Sequence, residues 1–133
     1  MRKIENFEKA LRNLKMIGEY REPYGTVELT GMVALFEICF EQSWKAMKAL
    51  LESAGFDDSK TGSPRQILKT AYQAGMIRDE AGWLSALEAR NNATHAYNEA
   101  IALDIVRRTK AGFILLFEEL DAEIKVNWLE ETK

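Results

Sequence analysis

Residues 26–54 read TVELTGMVALFEICFEQSWKAMKALLESA, and the fold follows from this stretch. Leu29, Val33, Phe36, Phe40, Met47 and Leu51 recur at steps of three, four or seven residues, the steps that stack side chains on one face of an α-helix. Met32, Trp44 and Leu50 widen the stripe, so this helix lies at the centre of a core and needs partners on several sides. Gly55 follows as its stop.

Toward the N-terminus, Ile4, Phe7, Leu11, Leu14 and Ile17 form one apolar stripe with Arg and Lys between them, predicting a first helix from about Ile4 to Tyr20. It stops within Gly18–Pro23, because proline has no backbone N–H and keeps the preceding Glu22 out of helical geometry. Downstream, Gly55–Gly62 is rich in turn formers. Ser63 then reads as an N-cap with Pro64 at the first helical position, opening a short helix that runs to about Ala74 and ends at Gly75. Asp79 caps a second short helix from Glu80 to about Arg90, with Trp83, Leu84 and Leu87 as its apolar members. The last helix covers roughly Tyr97 to Glu130, with Ile101, Ile105, Phe113, Leu116, Leu120, Ile124 and Trp128 along one face, and spans about 50 Å at 1.5 Å per residue. Proline occurs only at Pro23 and Pro64, and no run alternates apolar with polar long enough for a strand. The expected fold is all-α: an antiparallel up-and-down four-helix bundle with an extra short helix, the two short helices together making one strut. With 133 residues and no internal repeat, residues 1–133 read as a single domain.

Composition narrows the chemistry. At 47% hydrophobic and 29% charged residues, disorder is excluded. The one cysteine, Cys39, rules out an intrachain disulfide and a four-cysteine zinc site, and its apolar neighbours make it a small core residue. His95 is the one histidine, so no transition-metal site is expected, and no Gly-x-Gly-x-x-Gly or Walker loop calls for a nucleotide cofactor; the chain is expected to use no metal and no cofactor. The charged start is unlike a signal peptide, and the longest apolar runs, Met32–Phe36 and Phe113–Phe117, fall far short of the roughly 18 residues that cross a bilayer. A cytoplasmic protein without membrane contact is expected. Net charge is −3, but residues 60–110 carry eight basic side chains (Lys60, Arg65, Lys69, Arg78, Arg90, Arg107, Arg108, Lys110) against five acidic ones, while residues 118–133 carry six acids and two lysines. Clustered Lys and Arg suit a phosphate backbone, although such runs on helical proteins are commonly solvated faces.

Residues 90–99, RNNATHAYNE, differ from the rest in kind. On a continuous helix Arg90 and His95 stand about 140° apart, whereas Arg90 and Tyr97 share a face. Asn91, Asn92 and Thr94 are poor helix formers that bond their own backbone, so a break here brings Arg90 and His95 to one cleft. Spacing alone leaves a second reading open, in which Arg, His and Tyr at a helix junction only cap helix ends and satisfy one another.

The segment resembles the Arg-x4-His-x-Tyr motif of the HEPN domain family, small helical proteins encoded beside minimal nucleotidyltransferases and described either as nucleotidyltransferase substrate-binding subunits or as HepT-type toxins. The resemblance covers about Phe36 to Ile101: Phe36-Glu37, Trp44-Lys45 and Lys48 in the second helix, Ser63-Pro64-Arg65, Gly75-Met76-Ile77, Trp83, and Arg90-Asn91 through His95-Ala96-Tyr97, in order. It implies a two-fold homodimer in which Arg90 and His95 of both chains face a shared cleft. In toxin members that cleft cleaves RNA without metal, which makes Arg90, His95 and Asn91 the expected catalytic residues. Arg65, Lys69, Arg107 and Arg108 are expected to hold flanking RNA. Tyr97 is expected to receive AMP from the partner nucleotidyltransferase. In the rival reading from the same family the chain is a non-catalytic subunit that presents a substrate, an RNA or a nucleotide, to that enzyme. A third possibility, a bundle that only mediates protein contacts, requires neither Arg90 nor His95.

Overall fold

The computed structural model describes residues 1–56 and 62–129, and all regular structure among them is helical. The middle of the expected Gly55–Gly62 loop, Lys60 of the basic stretch, and Glu130 at the expected end of the last helix lie outside the described residues. Helix α1 (Arg2–Lys15) tightens into a 3₁₀ turn (Met16–Glu19) before Pro23. Helix α2 (Thr26–Ser53) begins where the Glu28 carboxylate accepts from the Gly25 N–H at 2.9 Å, tying down one of the donors a helix start leaves unpaired. Its C-terminal end closes with Phe56 N–H donating to the Leu51 carbonyl and Gly55 N–H to Glu52, with Gly55 at φ +90°, a conformation glycine enters without steric cost.

Helix α3 (Pro64–Gln73) starts with the Ser63 hydroxyl accepting from Gln66 N–H at 3.3 Å, and α4 (Glu80–Asn92) with Asp79 accepting from Gly82 N–H at 2.9 Å, the two caps expected from the sequence. The last rod is continuous but not uniform. Helix α5 (Glu99–Arg108) passes through a π-helical stretch (Thr109–Phe113) into α6 (Ile114–Glu123) and a second π stretch (Ile124–Trp128). At the first of these, the buried Thr109 hydroxyl donates to the Ile105 carbonyl at 2.7 Å, and Gly112 adds a weak helix former.

Helix α2 is the central element, packed along α1 and also against α3, α4 and α5, while α6 closes back on α1. Every residue expected in the α2 stripe is buried except Trp44, which is half-buried. Phe36 stacks on Phe113 with ring centres 5.3 Å apart, and Trp83 meets Phe117 edge-on at 5.4 Å, so α2, α4 and the last rod interlock through aromatic rings. Cys39 lies fully buried in this core, where burial pushes its thiol well above the usual range. No helix among the described residues is long and apolar enough to cross a membrane.

Candidate active site at the α4–α5 junction

The break between α4 and α5 has a local cause. Asn92 ends α4, and Ala93–His95 form one 3₁₀ turn, with Ala96 N–H donating to the Ala93 carbonyl at 3.1 Å and Asn98 N–H to His95 at 3.0 Å. Asn98 then restarts the chain as an N-cap whose side-chain oxygen accepts from Ala100 N–H (2.9 Å) and Ile101 N–H (3.3 Å). The last rod therefore starts at Glu99, two residues after the expected Tyr97, and Tyr97 stands in the turn. Ala93 is buried and Ala96 half-buried, so the turn is anchored by two small residues while Thr94, His95, Tyr97 and Asn98 face outward.

Arg90, in the last turn of α4, is the most constrained polar side chain here. Its Nε donates to Glu41 Oε1 at 2.6 Å, Nη2 contacts the same oxygen, and Nη1 donates to Asn91 Oδ1 at 3.1 Å. The other Glu41 oxygen, Oε2, accepts from the Trp44 indole N–H at 3.0 Å. One turn earlier on α2, burial raises the Glu37 carboxyl above its ordinary value; the Arg90 charge opposes that shift and the Glu41 carboxylate adds to it. His95 is exposed, its ring centre 6.2 Å from that of Tyr97 in an edge-on arrangement, and Tyr97 is 87% exposed. The tyrosine ring is thus not packed into the bundle, and its hydroxyl is open to another molecule.

The four expected RNA contacts separate into two pairs. Arg65 and Lys69 stand four residues apart on the exposed face of α3. Arg107 is held by Glu22, with Nε to Oε2 at 3.0 Å and Nη2 to Oε1 at 2.5 Å, and this bond pulls the Glu22 carboxyl below its ordinary value. Arg108 donates to the Ser85 hydroxyl at 2.5 Å, pairs with Asp104 at 3.3 Å and lies over the Phe113 ring. Both arginines tie parts of the bundle together.

Reading the sequence for chemistry does not find Glu41, and it places Trp44 only in the apolar stripe and in the pattern that carries the family resemblance. The available signal was the pair Glu37 and Glu41, acids one turn apart among Phe36, Cys39 and Phe40 in an otherwise apolar segment. Among the described residues no group of three or more His, Cys, Asp or Glu side chains converges as metal ligands. Two hollows lie elsewhere: a groove of about 320 Å³ beside Met76, Trp83 and Leu116, and one of about 350 Å³ beside Met16, Val27 and Leu35. Arg90 and His95 line neither.

Known proteins share this architecture. Over 79 residues the chain is 28% identical to a Haemophilus influenzae (strain KW20/Rd) protein named "Probable ribonuclease HepT", a match covering 58% of this chain and 54% of the relative; the chain thus matches about half the relative's length. The crystal structure of ttk003001694 from Thermus thermophilus superposes with a TM-score of 0.77 at 29% identity, covering 90% of this chain and 98% of that one. HI0074 from Haemophilus influenzae, whose structure is described as revealing the fold of a substrate binding domain of a nucleotidyltransferase, shares the fold with a TM-score of 0.79 at 20% identity, over 92% and 98% of the two chains. Residues 2–126 match the family described as "Nucleotidyltransferase substrate binding protein like", and the chain belongs to that family.

Proposed function

We propose that this chain is a HEPN-type, metal-independent endoribonuclease, the toxin of a toxin–antitoxin pair, neutralised by a cognate minimal nucleotidyltransferase that attaches AMP to Tyr97. The observation that carries the reading is the α4–α5 junction. There, a guanidinium oriented by Glu41 and Asn91 lies in the same short segment as the chain's one histidine, which is exposed. Cleavage proceeds by attack of the ribose 2'-hydroxyl on the adjacent phosphorus. A base takes the hydroxyl proton, an acid delivers a proton to the departing 5'-oxygen, and the products are a 2',3'-cyclic phosphate and a 5'-hydroxyl. Arg90 stabilises the charge that builds on the phosphoryl oxygens, and Asn91 helps orient the group. One imidazole does not readily serve as base and acid in a single step, so a two-fold homodimer supplies the second His95, and the shared cleft forms between two copies of this surface. In the neutralising step the Tyr97 oxygen attacks the α-phosphorus of ATP and pyrophosphate leaves. The new phosphodiester then competes for Arg90 and repels the RNA backbone.

The family description favours a second reading, a non-catalytic subunit that presents a substrate to the nucleotidyltransferase. One experiment separates them. The purified chain is incubated with single-stranded RNA in EDTA, as wild type and as His95→Ala; in a separate reaction, wild type and Tyr97→Phe are incubated with the neighbouring nucleotidyltransferase, ATP and Mg²⁺, and the protein is followed by intact mass. The proposal expects a dimer by light scattering at micromolar concentration, and cleavage in EDTA that falls by roughly two to four orders of magnitude in His95→Ala, as for loss of an acid–base group. It also expects AMP increments on wild type but not on Tyr97→Phe. Full cleavage by His95→Ala, or none by wild type, moves the assignment to the substrate-binding subunit.

A further inference from the structure

Arg90 projects from α4, but what fixes its guanidinium is on α2, 49 positions earlier in the chain. The contact is directional. The Nε edge turns inward to the half-buried Glu41, whereas Nη1 meets Asn91 at the exposed surface. A guanidinium gripped along one side keeps its outer end available for a phosphate in a fixed plane. Glu41 is held in turn. Its Oε1 receives Arg90 and its Oε2 receives the Trp44 indole, so both oxygens are acceptors in use, and the helix beneath them is anchored by Phe40 and Ser43, both fully buried.

We infer that Glu41, braced by Trp44, is a positioning residue that sets the plane of the Arg90 guanidinium toward the reacting phosphate. The inference rests on the ribonuclease reading above. A carboxylate is required for this task. In Glu41→Gln the amide is nearly the same size but accepts at one end only, so its NH₂ opposes either the guanidinium or the indole, donor against donor. Glu41→Asp keeps both acceptors on a stem one methylene shorter and restores part of the effect. Simple charge predicts the opposite outcome: deleting a carboxylate beside a phosphate site makes the site more positive, so RNA binds at least as well and, if Glu41 only competes with phosphate, cleavage speeds up.

The test has two arms. In ¹⁵N-labelled protein the Arg90 Nε–H resonance, assigned by its loss in Arg90→Lys, is distinct and slowly exchanging in wild type. In Glu41→Gln it collapses into the pool of exposed arginines, and in Glu41→Asp it partly recovers. In cleavage of a fluorescein-labelled single-stranded RNA, Glu41→Gln loses roughly tenfold or more in kcat with KM unchanged or lower, Glu41→Asp regains part of it, and Trp44→Phe loses less than Glu41→Gln. An unchanged Arg90 resonance in Glu41→Gln overturns the inference, and so does a kcat that holds or rises. If wild type cleaves no RNA, the ribonuclease reading fails and the resonance alone decides whether Glu41 positions Arg90.

Discussion

Replacing Arg90 by Lys separates the shape of the group from its charge. The side chains of Arg90 and Glu41 are 30% and 28% exposed, between a surface ion pair, worth up to about 1 kcal/mol, and a buried one, whose breakage costs about 3–5 kcal/mol. Arg90→Ala removes the Arg–Glu pair and leaves Glu41 with the indole alone, so a loss of about 1–2 kcal/mol is expected, equivalent to about 4–7 °C in melting temperature for a chain of this length. In Arg90→Lys the ammonium still reaches Glu41, and about half of that loss is recovered. Activity does not follow stability. An ammonium is a point charge without the planar fork, so RNA cleavage is expected to fall about 100-fold, the scale seen when one donor to a developing oxyanion is lost. Thermal melts by circular dichroism and initial rates on a labelled RNA measure both quantities on the same preparations. An Arg90→Lys protein that keeps a third or more of the wild-type rate refutes a two-point phosphate grip. An Arg90→Ala protein destabilised by much more than about 3 kcal/mol makes Arg90 primarily a structural strut.

The raised Glu37 carboxyl sets a pH test: being harder to ionise folded than unfolded, it opposes folding once ionised. Glu37→Gln is therefore expected to melt above wild type at pH 7, with the difference shrinking as pH falls through the raised folded value and vanishing below the ordinary 4.5; melts from pH 7 to pH 3.5 check it, and a difference that grows on acidification contradicts it. Asn98→Ala removes the acceptor for two N–H groups at the start of α5 and is expected to cost about 1 kcal/mol, read as a shift in the denaturation midpoint.

The helices were legible because their signals are local. Ser63-Pro64, Asp79 and Gly75 act at the positions where turn and cap chemistry puts them, and the stripe through Leu29, Phe36 and Leu51 faces the core as its spacing requires. The last helix was less so. Its periodicity runs on from Tyr97, but Asn98 caps more strongly than the stripe extends, and the π turns at Thr109–Phe113 and Ile124–Trp128 leave no mark in an apolar pattern that tolerates one extra residue.

The site was legible in part for the same reason. Asn91, Asn92 and Thr94 announce a break, and the break is there. What a linear reading does not reveal is that the guanidinium before the break belongs to a partner on α2, because a glutamate on a helix ordinarily reads as solvent-facing, and only the packing of α4 across α2 turns it toward Arg90. The same packing distinguishes the arginines. Arg107 and Arg108 look like Arg90 in a charge count, yet Glu22 pairs with one and Ser85, Asp104 and the Phe113 ring with the other, each joining separate parts of the bundle. Arg90 is also paired, its Nε and Nη2 to Glu41, but its Nη1 meets Asn91 at the surface, in the same junction as the exposed His95 and Tyr97. That difference between guanidiniums engaged across the bundle and one braced at its surface is the ground on which the proposed phosphate chemistry is assigned to the α4–α5 junction.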